Sequence, residues 1–202
     1  MNPSIFREYD IRGLAEKDFD REFALLLGKV HGTAVAARGG TRVSVGRDCR
    51  ATSDAYAEAL IAGMVSAGLQ VYDLGMCPTP LLYFSLFHLD LDAGIQITAS
   101  HNAAEYNGFK ICLGKDTLYG HQIQEIRARM EQNDFREKPG GTLEHYEILG
   151  PYHSHLLADV PKLARPLKVV IDAGSGVGGP VAPPGFRRLG CTVWVIPWAA
   201  EA

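Results

Sequence analysis

The feature that most constrains the fold is an alternation of short apolar runs with amphipathic stretches of about ten to fifteen residues. Helical spacing of apolar residues predicts helices at 19–39, 53–68, 81–89, 122–132, 146–160 and 183–190. Strands are predicted between them, at 42–45, 69–74, 93–98, 109–113, 167–171 and 191–197. Such alternation is typical of βαβ units, and it predicts an α/β fold with a mostly parallel sheet.

A polar segment divides the predicted elements into two groups. Asn133–Thr142 is rich in Gly, Pro and charge, and we interpret it as a linker. The predicted domains are 1–140 and 150–202. The second contains only two predicted strands, which cannot cover both of their own faces. We therefore expect it to be an incomplete domain.

Composition limits the classes of partner. Twenty Lys and Arg against twenty-three Asp and Glu give a net charge of −3, which argues against a nucleic-acid-binding protein. No apolar run approaches the roughly 20 residues of a membrane helix, and no signal-peptide core follows Met1. The cysteines form no Cys-x-x-Cys pair, which predicts buried thiols in a reducing compartment: Cys49, Cys77, Cys112 and Cys191. We expect a cytoplasmic protein without a membrane partner.

A glycine loop follows the predicted strand at 167–171. Gly174, Gly176 and Gly179 fit the pattern G-x-G-x-x-G, and Glu201 lies at the distance of a ribose-binding acid. One interpretation is a dinucleotide site of an oxidoreductase using a nicotinamide or flavin. The simpler interpretation, which we favour, is a tight turn between strand and helix.

The segment Thr98–Lys110, TASHNAAEYNGFK, carries more chemistry. Ser100 follows a predicted strand, where open α/β sheets bind ligands, so its hydroxyl is a candidate nucleophile or phosphate carrier; an ordinary capped turn is the alternative. No G-x-S-x-G elbow occurs, which argues against an α/β-hydrolase. Adjacent His101 would point away in extended backbone and would be a poor base. A phosphoserine carries about −1.5 to −2 charge and needs cations. The candidate cations are Arg7, Arg12, Arg47, Arg50 and Lys110.

Two other features are interpreted as structural. His153 and His155 have no acidic partner at a metal-ligand spacing, and we place them on the surface. The apolar segment Leu81–Phe87 is interpreted as core.

Four strings resemble the α-D-phosphohexomutase superfamily, and its phosphomannomutase/phosphoglucomutase branch in particular. FREYDIRG at 6–13 is similar to that branch's amino-terminal motif, and VGRDCRATS at 45–53 is similar to its second loop. TASHNAAEYNGFK at 98–110 resembles the loop that carries the phosphorylated serine. VVIDAGSGVGGPVAP at 169–183 resembles the opening of the second domain.

The resemblance implies a three-layer sandwich with a mostly parallel mixed sheet, followed by part of a second domain of similar build. It implies an isomerase that interconverts a hexose 1-phosphate and a hexose 6-phosphate, of mannose or glucose, through a bisphosphate. Ser100 would carry the phosphoryl group and bind Mg²⁺ through it, while Lys110 and Arg12 would act in catalysis. The implied substrate- or phosphate-binding residues are Tyr9, His101, Asn102 and Arg47.

The sequence departs from the family pattern in two ways. Ala103 stands where the family has proline, and we expect the loop to be slightly looser for it. No Asp-Gly-Asp-type metal loop, sugar-selecting loop or carboxy-terminal phosphate loop occurs. We therefore expect an incomplete mutase that is nearly inactive alone. A non-catalytic phosphosugar-binding module is a further alternative; sugar preference and oligomeric state stay open.

Overall fold

The protein is described by a computed structural model covering residues 1–161 and 163–196. Strands of the larger sheet are β1 (Ile11–Leu14), β2 (Arg42–Arg47), β3 (Gln70–Met76), β4 (Ala93–Ile97), β5 (Tyr106–Leu113), β6 (Asp116–Thr117) and β7 (Thr142–His145). The helices are α1 (Arg21–Ala37), α2 (Ser53–Ser66), α3 (Thr79–His88), α4 (His121–Glu131), α5 (Leu149–Asp159) and α6 (Ala182–Arg188). Two further strands, β8 (Lys168–Ile171) and β9 (Thr192–Val195), form a separate small sheet.

The larger sheet has seven strands in the order β1-β5-β4-β2-β3-β7, with β6 beside β5. Its β4-β2-β3-β7 portion is parallel, whereas β5 runs antiparallel to β4, β1 and β6. The prediction of an α/β fold with a mixed sheet is confirmed. Because β2, β3 and β4 run the same way, the loops that follow them meet at one edge of the sheet.

Helices cover both faces of this sheet. Apolar residues of α1, α2 and α4 pack on one face in a core that includes Leu27, Leu60 and Phe109. On the other face α3 contributes Leu81, Leu82 and Leu86, so most of the segment predicted as core is buried, although Phe87 is exposed. Gly28 and Gly63 lie where α1 crosses α2, and a Cβ at either would collide with a carbonyl oxygen of the opposite helix.

The start of α1 differs from the prediction by its capping residue. Asp20, and not Asp18, caps the helix, because its side chain accepts a hydrogen bond from the Phe23 N–H at 2.9 Å. Asp18 instead accepts the Leu14 N–H at 2.8 Å and closes the turn after β1.

Three short strands, β1, β6 and β7, were not predicted. β1 is four residues long and pairs with β5, and β7 pairs in parallel with β3 on the opposite side of the sheet. All four residues of β7 are exposed, so their sequence carries no burial period. Residues 133–141 contain neither helix nor strand, yet the Lys138 N–H donates to Ser66 O at 2.8 Å. The predicted linker therefore runs along the first unit before β7 joins its sheet, and the domain limits 1–140 and 150–202 stay a prediction.

The helix predicted from Tyr146 begins at Leu149 and connects the two sheets. On it, His153 is buried and its Nε2 lies 2.8 Å from Val181 O, so its assignment to the surface was wrong. The reason is tertiary: α5 packs between α3 and α6. In the small sheet, alternate residues are half-buried where α6 contacts the strands, while Val170 and Trp194 on the other face are 67% and 50% exposed.

The cysteines are free within the part of the chain that the structure describes. Cys77, Cys112 and Cys191 are buried and Cys49 is half-buried. Burial raises the pKa of the Cys77 thiol to about 12, so this group stays protonated and is a poor nucleophile. Over 1–161 and 163–196, no helix has the length and apolar character needed to cross a membrane.

Candidate active site

Four loops surround a cavity of about 790 Å³ at the carboxyl edge of the strands. Three of them follow β2, β3 and β4 of the large sheet, and the fourth follows β8 of the small sheet. Their lining residues lie at 48–51, 78–80, 98–104 and 174–177. This is the place where open α/β sheets bind ligands, and the loop containing Ser100 forms part of its wall.

Ser100 is exposed at this cavity in an uncommon backbone conformation. Its φ is +58°, in the left-handed region that costs a non-glycine residue energy and that often marks functional sites. The Ser100 N–H donates to Thr98 Oγ1 at 2.9 Å, and the Asn102 N–H donates to Ala99 O at 3.1 Å. These bonds form a tight turn that presents the hydroxyl to solvent.

His101 lies closer to the Ser100 hydroxyl than the sequence suggested. Its Nδ1 is 3.3 Å from Ser100 Oγ, within hydrogen-bond distance. The argument that the two side chains point apart assumed extended backbone, and the left-handed φ of Ser100 removes that assumption. His101 can therefore accept the hydroxyl proton when its Nδ1 is unprotonated.

Arg12, Lys110 and Asn102 are brought together around Asp10, and we call these four residues the Asp10 network. The Arg12 guanidinium pairs with Asp10 and donates to Asn102 Oδ1 at 2.8 Å, while Lys110 Nζ lies 3.3 Å from the Asp10 carboxylate. Two cations share one anion, so the network carries a net charge of +1 beside the Ser100 loop. Within residues 1–161 and 163–196, the buried Nε of Arg12 has no hydrogen-bond partner.

Tyr9 and Arg47 are placed differently from the other predicted site residues. Tyr9 precedes β1 and is 67% exposed. Arg47 pairs with Asp54 and, at 2.8 Å, with Asp73, whose second oxygen lies 3.2 Å from His145 Nδ1. We call these four residues the Asp73 network. It lines a separate cavity of about 590 Å³ that does not include Ser100.

Arg50 contacts the Ser100 loop directly, although the sequence only suggested it as one of five cations. Its side chain crosses from the β2 loop and donates to backbone carbonyls of the segment 100–106. Neither Asp10 nor Asp48, which orient Arg12 and Arg50, stood out in the sequence. Both lie within the strings that resemble the family, and only contact geometry reveals their partners.

The glycine loop lies on the opposite wall of the same cavity. Gly174 and Ser175 both have positive φ, and Cys49 Sγ lies 3.6 Å from Ser175 O across the gap. Helix α6 begins at Ala182, after the last glycine of the motif, and is seven residues long. The glycine loop therefore lines the Ser100 cavity, and this position accounts for it without a dinucleotide site. Glu201, the suggested ribose-binding residue, lies outside the described residues.

Known proteins resemble this chain in sequence and in fold. Residues 3–137 match the family described as phosphoglucomutase/phosphomannomutase, alpha/beta/alpha domain I. The chain belongs to the phosphoglucomutase/phosphomannomutase family. It is 45% identical over 190 residues to a phosphomannomutase/phosphoglucomutase of Pseudomonas putida, covering 94% of this chain and 41% of that protein.

Further members of the family agree in sequence and in fold. A phosphoglucomutase of Neisseria meningitidis is 41% identical, with 92% of this chain and 40% of that protein covered. A phosphoglucomutase/phosphomannomutase family protein of Burkholderia thailandensis superimposes with a TM-score of 0.91 at 40% identity, over 97% of this chain and 44% of that one. The chain thus spans about two fifths of the length of the curated relatives it matches.

Two features of the Ser100 loop bear on the departures from the family pattern. At Ala103, where the family has proline, the carbonyl accepts bonds from Arg50 and from the Tyr106 N–H, so the turn is held without the ring. For Mg²⁺, the described residues contain no group of three or more His, Cys, Asp or Glu side chains placed to hold a metal ion. The carboxylate of Asp48 already accepts bonds from Arg50 and Ser53. These residues do not form a magnesium site.

Proposed function

We propose that this chain supplies the phosphoryl-carrying serine of a phosphohexomutase. The whole protein would interconvert hexose 1-phosphate and hexose 6-phosphate, of mannose or glucose, and this chain's own step would be transfer to and from Ser100. The observation that carries the proposal is the exposed Ser100 hydroxyl, beside a histidine nitrogen and a net-positive network. Family membership supports the same assignment.

In the proposed step, Ser100 Oγ attacks a phosphorus atom of a hexose bisphosphate. The Oγ–P bond forms as the bond from phosphorus to the sugar oxygen breaks. The hydroxyl proton passes to His101 Nδ1, and the sugar oxygen leaves as a hydroxyl after taking up a proton. In the reverse step, the phosphoserine transfers its phosphoryl group to the free hydroxyl of a bound hexose monophosphate. The bisphosphate that forms reorients, and its other phosphoryl group then passes to Ser100, which leaves the isomeric monophosphate.

Arg12 and Lys110 can stabilise the negative charge of the phosphoryl group during such a transfer. Phosphoryl transfer depends mainly on positioning and on stabilising the negative charge of the equatorial oxygens. Asp10 fixes the positions of both cations but compensates only one of their charges. The remaining charge of +1 can attract an anion. Lys110 is a candidate proton donor or charge-stabilising group for the sugar oxygen.

The proposed partner is a phosphosugar and the proposed compartment is the cytoplasm. A phosphosugar fits the net-positive Asp10 network beside the Ser100 loop, whereas the overall charge of −3 gives no support to a nucleic-acid partner. No membrane partner is proposed. Cytoplasm remains the predicted location, on the basis of cysteines without pairing motifs.

The test is phosphorylation of the purified chain by a hexose 1,6-bisphosphate, followed by intact mass and peptide mapping. We expect addition of one phosphoryl group at Ser100 in the wild type and none in Ser100→Ala. Ser154→Ala, which changes an exposed serine of α5, is the matched control and should be modified like the wild type. Absence of the modification, or its persistence in Ser100→Ala, would exclude the proposal.

A further inference from the structure

The most extensively bonded side chain near Ser100 is that of Arg50, which follows β2 and is only 12% exposed. Its two terminal nitrogens donate to four backbone carbonyls of one loop, at distances between 2.6 and 3.2 Å. The acceptors are Ser100 O, Asn102 O, Ala103 O and Tyr106 O. A single guanidinium therefore spans the whole turn that carries the serine.

Asp48 fixes the other side of this guanidinium. Its Oδ2 accepts the Arg50 Nε–H at 3.1 Å, and its Oδ1 accepts the Ser53 hydroxyl at 2.7 Å and the Arg50 N–H at 3.1 Å. The Asp48 side chain is 11% exposed. Arg50 is thus anchored to the start of α2 before it reaches the loop.

The hydrogen-bond count decides what Arg50 can do. A guanidinium has five N–H donors, and Arg50 makes five side-chain bonds: four to carbonyls and one to Asp48. No donor is left for a phosphate oxygen. This separates Arg50 from Arg12, whose buried Nε has no partner among the residues that the structure describes.

We propose that Arg50 is a positioning residue, which holds the 100–106 loop so that the Ser100 hydroxyl faces the cavity. The left-handed φ of Ser100 costs energy and persists only where neighbouring bonds enforce it. The bond from Arg50 to Ser100 O acts directly on that residue. Lysine cannot replace the fork, because its three donors share one nitrogen and cannot reach four carbonyls spread over seven residues.

The first measurement is amide hydrogen exchange in the intact chain. The reporters are the amides of Ser100, Asn102 and Tyr106, whose acceptors lie in the loop or in the two residues before it. In Arg50→Met and Arg50→Lys we expect these amides to exchange about tenfold faster or more, with the β4 amides unchanged. Arg129→Met is the matched control, because Arg129 also donates to a carboxylate and a carbonyl, at Asp134.

Unchanged exchange in Arg50→Met, or wild-type exchange in Arg50→Lys, would overturn the proposal. Should Arg50→Met fail to fold, as judged by urea unfolding, Asp48→Asn replaces it and should also speed loop exchange. In Asp48→Asn the guanidinium loses its charged anchor but keeps the four carbonyls, so we expect a smaller acceleration. If loop exchange is not faster in Asp48→Asn, or is not faster in Arg50→Lys, the proposed positioning role of Arg50 is likewise overturned.

The second measurement rests on the proposed function and uses the rate of Ser100 phosphorylation by hexose 1,6-bisphosphate. In Arg50→Lys we expect the maximal rate to fall about tenfold or more, with the half-saturating concentration changed less than about twofold. A raised half-saturating concentration at an unchanged maximal rate would mean that Arg50 binds phosphate, and the inference would fail. If the wild type takes no phosphoryl group, the proposed function fails, and hydrogen exchange alone decides the role of Arg50.

Discussion

The Asp10 and Asp73 networks are built from the same types of residue but differ in net charge. Each is centred on an aspartate whose side chain is 7% exposed and which pairs with one arginine and a second basic residue. Around Asp10, Arg12 and Lys110 give a net charge of +1. Around Asp73, Arg47 is shared with Asp54, so the net charge is −1 when His145 is neutral and 0 when it is protonated.

From this difference we expect a poorly exposed arginine to attract an anion only where the cations of its network outnumber the carboxylates, as they do around Asp10. Arg47 was predicted to bind phosphate, and its sequence context, GRDCR, is as suggestive as that of Arg12. In the structure it pairs with two carboxylates, Asp54 of α2 and Asp73 of β3, beside a cavity that does not include Ser100. We therefore expect Arg12, and not Arg47, to act on the substrate.

The largest expected effect tests the centre of the Asp10 network. Asp10→Ala removes the anion between two poorly exposed cations, and breaking such a pair on one side costs about 3–5 kcal/mol. We expect urea unfolding to show a loss in this range. Asp159→Ala, at an exposed pair on α5, should change stability by less than about 1 kcal/mol. Equal losses in the two variants would refute the central position of Asp10.

Protonation of His31 at low pH is expected to lower the stability of the fold independently of the two networks. Burial lowers the pKa of His31 to about 4 in the folded chain, against the opposing hydrogen bond to Cys112 O. The unfolded chain, with a pKa near 6.5, binds more protons between these values, so stability is full above about pH 6.5 and falls as pH drops toward 4. The loss is roughly 3 kcal/mol.

Urea unfolding of the wild type across this pH range checks that loss, with His31→Gln as the comparison. The glutamine side chain can donate to Cys112 O but does not titrate, so its stability should vary much less between pH 6.5 and 4. A wild-type slope that persists in His31→Gln would assign the acid effect to other groups.

A smaller loss is expected at the centre of the Asp73 network. In Asp73→Ala, Arg47 keeps Asp54 and the exposed His145 is free to hydrate, so the main cost is the unpartnered N–H of Gly75. We expect about 1–3 kcal/mol, below the value for Asp10→Ala. The same urea experiment measures both, and a larger loss at Asp73 would reverse the comparison.

The smallest effect distinguishes the two arginines by anion binding. We expect Arg12→Met to raise the half-saturating concentration of hexose 1,6-bisphosphate about tenfold, which corresponds to about 1.4 kcal/mol. Arg47→Met should change it less than about twofold. Half-saturation of Ser100 phosphorylation provides the measurement, and a similar shift in the two variants would restore Arg47 as a phosphate-binding residue.

The sequence by itself determined the α/β class, the helices and buried strands with their approximate limits, and Ser100 as the residue of interest. The spacing of hydrophobic residues and the positions of glycines involve residues that are close in sequence, so they can be recognised in the sequence alone. The family resemblance rested on contiguous strings for the same reason. The short strands β1, β6 and β7 were not predicted because two to four residues are too few for a period to be recognised, and those of β7 are all exposed.

Only the tertiary structure decided which charges meet. Arg12 reaches Asn102 across 90 positions of sequence and Arg50 reaches Tyr106 across 56, whereas Arg47 is turned toward Asp73 by the pairing of β2 with β3. The left-handed φ of Ser100, which brings His101 to its hydroxyl, likewise depends on bonds from a distant loop. Pairing of charges is a property of distance in space, and sequence spacing does not contain it.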